Sequence, residues 1–198
     1  MNQFSILAFL KKRPFSWSAM SSFEYSPDQW YESYILGIRQ QSKEMDFGSL
    51  VDKRLQEDPT YLPQVHRHSI LQHTMKAKLG KIPLIGVADS WEPSTPALDD
   101  FKTGKKLWDQ KRADETGQLT FYSLLLYLTE SIKPDDVDFG IQWLPTQETG
   151  DFKISLIDEK DVRTFRTKRT MLQMLDFCQR INGTVEEMEK FVHSKELA

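Results

Sequence analysis

The sequence predicts an α/β fold in which a central β-sheet is flanked by helices. Three observations predict it. An apolar run from Ile82 to Trp91 is followed by turn residues and a second extended segment, Ala97 to Lys102. Amphipathic patterns with helical periodicity stand on both sides of this strand pair. The length of 198 residues suits one domain, residues 1–198, with a sizeable core.

The two predicted strands bring acidic side chains together. Asp89 and Asp100 lie equally far from the centre of the turn, so they face each other in a regular antiparallel hairpin. Side chains two apart on a strand share a face, so Lys102 projects beside Asp100 while Asp99 points away. Hard cations such as Mg²⁺ take oxygen ligands, and a lysine beside them could position water and offset charge on a phosphoryl oxygen. This arrangement indicates a metal-dependent phosphodiesterase site.

The rest of the chain predicts further helices and strands. The elements expected outside the hairpin are helices at about 18–25, from Pro27, at Lys43–Glu57 and from Asp114 to about Lys133, strands around Phe139–Trp143 and Phe152–Leu156, and helices at Asp158–Ile181 and from Thr184. Asn182-Gly183 is expected to end the long helix at Ile181. Basic residues on that helix are expected to lie on a solvated face; they are Arg163, Arg166, Lys168 and Arg169.

The charge and cysteine content limit the classes of function. The formal net charge is -3, so any contact with nucleic acid must come from a local basic face. Such a face could be formed near the hairpin by Lys102, Lys105, Lys106, Lys111 and Arg112. A solvated loop with scattered lysines accounts for the same charges equally well. The single cysteine, Cys178, excludes an internal disulfide and has the helical spacing of a core residue.

The first fifteen residues are interpreted as an N-terminal extension. Their apolar run, Ile6 to Leu10, is too short to span a membrane, and its basic residues follow it rather than precede it. We therefore expect no membrane association and a cytoplasmic location, in a bacterial or phage-infected cell.

Several short segments, taken in order, are typical of one nuclease family. They are Ser16-Trp17-Ser18, Phe23-Glu24, Ser26-Pro27, Gly48-Ser49-Leu50-Val51-Asp52, Gly86-Val87-Ala88-Asp89, Asp100-Phe101-Lys102-Thr103-Gly104 and Gln118-Leu119-Thr120-Phe121-Tyr122. With them the chain resembles the PD-(D/E)xK nuclease superfamily, and more closely its RecB-type exonuclease branch. Each segment alone is only weakly specific for this family. The occurrence of all of them in the family's order is more specific. The resemblance implies a restriction-endonuclease-like core with a mixed central sheet, and its motifs lie at about 43–130.

The resemblance also implies roles for individual residues. Asp52, Asp89, Asp100 and the Phe101 carbonyl would bind Mg²⁺ or Mn²⁺, and Lys102 would orient the attacking water. Gln118 and Tyr122 share a helix face and would lie beside the metal, binding the DNA backbone or steadying the lysine. Tyr122 could instead be a core residue with its hydroxyl satisfied. Contacts to DNA are expected from Ser18, Lys105, Lys106, Gln118 and Tyr122.

The chain departs from the family pattern at three places. Asp52 stands where the branch carries a histidine, so it is either a third carboxylate ligand or a surface residue. Ser26 replaces the cysteine that holds an iron–sulfur cluster in some relatives, so no such cluster is expected. An acidic residue is usual on the strand after the third helix, and this chain offers only Gln64 and Gln72 there.

The three histidines in this region do not have the spacing of a zinc site. They are His66, His68 and His73, and no cysteine lies near them. We interpret them as ordinary strand or surface residues.

The sequence thus predicts a Mg²⁺- or Mn²⁺-dependent deoxyribonuclease, and by resemblance a stand-alone exonuclease of recombination, repair or phage DNA metabolism. A homo-oligomer or a recombination protein is an expected partner besides DNA. Two alternatives stay open: a structure-selective or CRISPR-associated endonuclease on the same fold, and a nucleic-acid-binding module without turnover.

Overall fold

A mixed β-sheet forms the centre of the molecule. The computed structural model describes residues 4–38, 42–149, 153–158 and 161–197. In these ranges the strands are β1 (Ile70–Leu79), β2 (Ile82–Glu92), β3 (Ala97–Gly104), β4 (Asp138–Thr149), β5 (Lys153–Leu156) and β6 (Arg163–Thr167). Strands β1, β2 and β3 are antiparallel neighbours, and β3 pairs with β4 in parallel. Both β5 and β6 pair antiparallel with β4.

Helices cover this sheet, as the sequence predicts. They are α1 (Ile6–Lys12), α2 (Trp17–Tyr25), α3 (Pro27–Trp30), α4 (Lys43–Glu57), α5 (Gln110–Glu115), α6 (Gly117–Glu130) and α7 (Met171–Glu196). The third predicted helix has the bounds of α4, and Ser26 caps α3 by accepting the Gln29 N–H. No helix in the described ranges combines the length and apolar character of a membrane span. The predicted α/β fold, with a mixed sheet flanked by helices, is confirmed.

The parallel pairing of β3 with β4 requires a crossover, and α5 and α6 supply it. The sequence predicted a single helix from Asp114, but the chain turns at Thr116 and α6 begins at Gly117. A Cβ atom at Gly117 would lie 2.6 Å from the Trp17 ring, so α6 begins in close contact with α2. This packing places the first turn of α6 beside β3.

The apolar core is divided between the two faces of β3. Leu98 belongs to a large cluster that also buries α6 and α7, whereas Phe101 packs on a smaller cluster that includes Val51 and Leu55 of α4. Adjacent residues of a strand point to opposite faces, so β3 presents different environments on its two sides. The predicted N-terminal extension contributes to the large cluster, because Ile6 is buried there.

The C-terminal prediction was wrong in two respects. Residues 163–167 form strand β6 rather than part of a helix, and one helix, α7, continues through Asn182-Gly183. Gly183 has open space around it, and Asn182 donates a side-chain hydrogen bond to the Cys178 carbonyl at 3.0 Å. The strands around 139–143 and 153–156 are confirmed, while residues 150–152 of the predicted hairpin lie outside the described residues.

The basic residues assigned to a solvated helix face include two with structural contacts. Arg166 pairs with the fully buried Asp99. Arg169 is itself buried and donates to the carbonyl oxygens of Ala113 and Thr116, at 2.9 and 3.1 Å. Arg169 therefore holds the segment from which α6 begins.

Candidate active site

Strands β2 and β3 separate at the position of the two predicted carboxylates. The last paired residues are Ser90 and Asp99, and beyond them the ladder ends. There the Asp89 carboxylate accepts the Phe101 backbone N–H at 2.7 Å. Asp89 and Asp100 therefore lie across the opening between the strands, as the hairpin register predicts. The Phe101 carbonyl as a metal ligand stays a prediction.

Helix α4 adds a third carboxylate. A Cβ atom at Gly48 would lie 3.1 Å from Thr103 Oγ1, so the helix approaches the end of β3 closely at this glycine. Asp52 follows one turn later and lines the same cleft as Asp89 and Asp100. This position fits the hypothesis that Asp52 is a third carboxylate of the site better than the hypothesis that it is a surface residue.

Gln72 of β1 connects two of these carboxylates. Its Nε2 atom lies 3.4 Å from both Asp52 oxygens and 3.3 Å from Asp89 Oδ1. Gln72 has a φ of 53°, a left-handed conformation that is uncommon for a residue with a side chain. Such backbone outliers concentrate at functional sites, where the surrounding structure enforces them. Gln72 occupies the place where the resemblance leads one to look for an acidic residue.

A chain of hydrogen bonds from α6 holds Asp100. Gln118 Nε2 donates to Asp100 Oδ1 at 2.7 Å and to the Tyr122 hydroxyl at 2.9 Å. Tyr122 is buried and donates its hydroxyl to the Val87 carbonyl at 2.7 Å. Gln118 therefore fixes a carboxylate rather than the lysine, and Tyr122 fixes Gln118. The Tyr122 hydroxyl is satisfied, which fits the core-residue reading of Tyr122. Direct contact of Gln118 or Tyr122 with DNA stays a prediction.

Lys102 lies on the same face of β3 as Asp100. Its ammonium is 2.8 Å from Asp100 Oδ2, and its side chain is 29% exposed. Asp100 Oδ2 is buried and accepts no further hydrogen bond from the described part of the chain. The prediction that Asp100 and Lys102 project together while Asp99 points away is confirmed.

The pKa values of all three carboxylates of the cleft are raised. The pKa of Asp89 is raised to about 8, because protein packed around its carboxylate excludes water and because Asp100 and Asp52 lie nearby. Burial also raises the pKa of Asp100, and burial together with Asp100 raises that of Asp52. Burial, followed by the carboxylates, holds the pKa of Tyr122 well above its usual value. The site concentrates negative charge that a cation would neutralise.

The donor set fits a hard divalent cation. The convergent ligands are carboxylate oxygens, and one of them, Asp100 Oδ2, is buried with the Lys102 ammonium as its close partner. Oxygen-only sites of this kind suit Mg²⁺ and Mn²⁺. These side chains line an open cleft of about 610 Å³, which leaves room for water and a substrate oxygen.

Two further clefts adjoin this one. The first, of about 760 Å³, shares Ser18, Met45 and Ser49 with the carboxylate cleft. The second, of about 660 Å³, shares Lys102, Thr103 and Gln118 with it. Basic and aromatic side chains line the second; they are Trp17, Lys102, Trp108, Lys111, Arg112 and Arg180.

The predicted DNA-contacting residues have different positions. Ser18 lines the carboxylate cleft and its neighbour. Lys105 forms an ion pair with Glu148 at 3.0 Å, and Lys106 is exposed. Neither lysine lines the described clefts, so their contact with DNA stays a prediction.

The comparison with known proteins adds structural relatives. No protein-family model matches the chain, and no curated protein matches it. Solved structures similar to it include a phage-related exonuclease from Haemophilus somnus 129PT, with 15% identity over 91% of this chain and 84% of that one and a TM-score of 0.52. Another, named as a candidate exonuclease from Eubacterium rectale, has 14% identity over 96% of this chain and 70% of that one, with a TM-score of 0.41. The first likeness establishes a shared fold.

Proposed function

We propose that this protein is a Mg²⁺- or Mn²⁺-dependent deoxyribonuclease that hydrolyses phosphodiester bonds. The observation that carries the proposal is the convergence of Asp52, Asp89 and Asp100 in one open cleft, with the Lys102 ammonium beside Asp100. Carboxylates that hold a cation next to a lysine are suited to phosphoryl chemistry, in which positioning and charge stabilisation supply most of the catalysis.

The cation would be held by Asp52, Asp89 and Asp100, with the Phe101 carbonyl as a further ligand. When bound, it would polarise a phosphoryl oxygen and lower the pKa of a coordinated water. This assignment rests on the oxygen donor set and on the raised pKa values of the three carboxylates.

The chain's own residues supply the remaining functions. Lys102 would orient the attacking water and offset charge on the phosphate, because its ammonium is fixed beside Asp100 and is partly exposed to the cleft. Gln118 would keep Asp100 in one orientation, since it donates to Oδ1 and leaves Oδ2 toward Lys102. Gln72 would hold Asp52 and Asp89 at a fixed separation.

The DNA would follow the clefts that adjoin the carboxylates. The basic and aromatic lining of one cleft suits a phosphate backbone with unstacked bases. Ser18 stands at the junction with the other cleft and would donate to a phosphate. Lys105 and Lys106 would add attraction at longer range.

Within this class we favour a stand-alone exonuclease of recombination, repair or phage DNA metabolism, because the order of motifs resembles the RecB-type branch. A homo-oligomer or a recombination protein would be its partner. A second candidate is an endonuclease on the same fold. It is favoured by the two clefts that adjoin the carboxylate cleft through different residues, which would let a continuous strand pass.

The test is digestion of end-labelled linear DNA and closed-circular DNA with Mg²⁺ or Mn²⁺, beside the Lys102→Ala and Asp100→Asn variants. Loss of linear DNA alone, absent in both variants, would establish the exonuclease. Cutting of the circle would establish the endonuclease. If neither substrate is cut with either metal, the deoxyribonuclease proposal fails and a binding module without turnover takes its place.

A further inference from the structure

Two histidines and an aspartate, side chains of the types that ligate metals, lie together on the opposite face of β3. His66 and His68 belong to the segment between α4 and β1, and both lie against the fully buried Asp99. Asp99 precedes Asp100 and so points away from the carboxylate cleft. The sequence analysis interpreted His66 and His68 as ordinary strand or surface residues, because the carboxylate that faces them is remote along the chain and is brought to them only by the fold.

The distances within the group match those between ligands of one metal ion. His66 Nδ1 is 3.6 Å and His68 Nε2 is 3.4 Å from Asp99 Oδ2. All three ligand atoms lie within 4.8 Å of one another. Tetrahedral zinc with bonds of about 2.0–2.1 Å holds its ligand atoms about 3.3–3.5 Å apart. Both nitrogen–oxygen distances are therefore close to those between ligands of a tetrahedral site.

His68 points to a missing ligand. Its side chain is only 7% exposed, and its Nε2 atom forms no hydrogen bond within the described residues. Its contact with Asp99 Oδ2, at 3.4 Å, does not replace the hydrogen bond to water that burial removes, and such an unsatisfied buried nitrogen is costly. Burial also lowers the pKa of His68.

The backbone of the group is held in place. Gln142 accepts the His66 N–H at 2.8 Å and donates to the His66 carbonyl at 2.7 Å. Ser90 Oγ accepts the His68 N–H at 2.6 Å. The two imidazole rings are nearly perpendicular, at 82°. The histidines thus converge on Asp99 because their main chain is fixed, as in a preorganised site.

The surroundings of Asp99 resemble the outer shell of a metal ligand. Gln142 donates to its Oδ2 atom at 2.7 Å, and Arg166 donates to both oxygens, at 2.5 and 3.1 Å. Ligating carboxylates are commonly oriented by such donors. The Arg166 guanidinium neutralises the buried carboxylate and opposes a further positive charge, so it would lower the affinity of the site for a cation. Arg166 is 38% exposed and can withdraw toward solvent.

We infer that His66, His68 and Asp99 form a second metal site, separate from the carboxylate cleft, that binds a borderline transition-metal ion such as Zn²⁺. Two imidazoles and one carboxylate suit Zn²⁺ and not Mg²⁺, which prefers oxygen ligands. His66 has a side chain that is 60% exposed, so an ion can enter there and keep water in its fourth position. The bound ion fastens the segment before β1 to β3.

The experiment is calorimetric titration of Zn²⁺ into the metal-free full chain without an added histidine tag. The Asp100→Asn background is used throughout, so that the carboxylate cleft does not compete. We expect one saturable Zn²⁺ per chain and a rise in melting temperature on Zn²⁺ addition. His66→Ala should weaken binding at least tenfold and abolish the rise. Its side chain is mostly exposed, so the variant should fold.

His73→Ala is the matched control, because His73 pairs with Glu130 away from the group. It should bind Zn²⁺ as its parent does. Co²⁺ as a probe should give the visible absorption of a tetrahedral centre in the parent and not in His66→Ala. Equal Zn²⁺ binding by the parent and His66→Ala, or no saturable binding by the parent, would overturn the inference. Neither result depends on nuclease activity.

Discussion

The Asp89 carboxylate accepts the Phe101 backbone N–H at 2.7 Å, where the β2–β3 ladder has ended at Ser90 and Asp99. A side chain thus takes the place of the strand carbonyl. The same carboxylate faces Gln72 through its other oxygen. The opening between the strands is therefore maintained by a residue that is also predicted to bind the metal.

This position makes the stability of the metal-free protein depend on pH. The pKa of Asp89 is about 8 in the folded protein against 3.8 as its ordinary value, so the folded state holds a proton that the unfolded state releases. The contribution of Asp89 to stability should therefore fall as the pH rises from about 4 to about 8, and should level off above the folded pKa. Urea unfolding in a chelator, at several pH values, measures this.

Asp89→Asn is the comparison for that measurement. Asparagine keeps an oxygen for the Phe101 N–H and has no charge to titrate. Relative to Asp89→Asn, the unfolding free energy of the parent should fall as the pH rises from about 4 to about 8. A difference that is constant with pH would show that Asp89 ionises normally.

Lys102→Met should reduce cleavage by about 10²–10⁴-fold, the range of a positioned acid–base group. Cation binding should be retained or tightened, because the substitution removes a positive charge 2.8 Å from Asp100. Single-turnover cleavage and Mn²⁺ titration separate the two effects. Lys105→Met is the control, since it removes an exposed ion pair with Glu148 and should change the cleavage rate little. Equal losses in both variants would mean that Lys102 acts only through general attraction of DNA.

Gln118→Leu should lower metal affinity or turnover by about 10–100-fold, as is usual for a partner that orients a ligand. The reason is that Asp100 Oδ1 would lose the hydrogen bond from Gln118 and would remain buried. Tyr122→Phe should act in the same direction and more weakly, since Tyr122 touches Gln118 rather than Asp100. Mn²⁺ affinity and kcat measured for both variants provide the test. A larger effect from Tyr122→Phe would point to direct contact of its hydroxyl with substrate.

Gly140→Ala should destabilise the fold by about 1–3 kcal/mol, the usual cost of overpacking. A Cβ atom at Gly140 would overlap Asp99 Oδ1 and lie 2.7 Å from Arg166 Nη1, so the buried ion pair would be displaced. Urea unfolding measures the change. Gly183→Ala is the matched control, because open space surrounds Gly183 within α7, and alanine favours a helix by about 1 kcal/mol over glycine. Equal destabilisation of both variants would show that displacement of the Asp99–Arg166 ion pair is not the cause.

The sequence predicted the hairpin because both of its determinants are local. A turn between two apolar runs sets the register, and the register places Asp89 opposite Asp100. Helical spacing predicted that Gln118 and Tyr122 share one face, whereas their place beside the carboxylates was predicted from the resemblance. The role of Gln72 was not predicted, since its contacts depend on a left-handed backbone conformation within β1.

The C-terminal region was mispredicted because tertiary contacts outweigh its local signals. Residues 163–167 acquire strand geometry by pairing with β4. Asn182-Gly183 is a usual helix end, yet Ile181, Val185 and Met188 are buried on one side of α7, and this packing outweighs the low propensity of the glycine.

Side chains of β3 alternate between the two faces of the sheet, so the turn before β3 determines which residues reach each face. Glu92 accepts the Ser94 N–H and hydroxyl, which fixes the four residues between β2 and β3 in one conformation. Adding or deleting a single residue there would shift the strand by one position and exchange its two faces. An insertion would move Asp99 into the place of Asp100 in the carboxylate cleft, whereas a deletion would move Asp100 into the place of Asp99 beside the histidines. The length of a surface turn outside both groups of side chains therefore decides which aspartate lies in the carboxylate cleft and which lies beside the histidines.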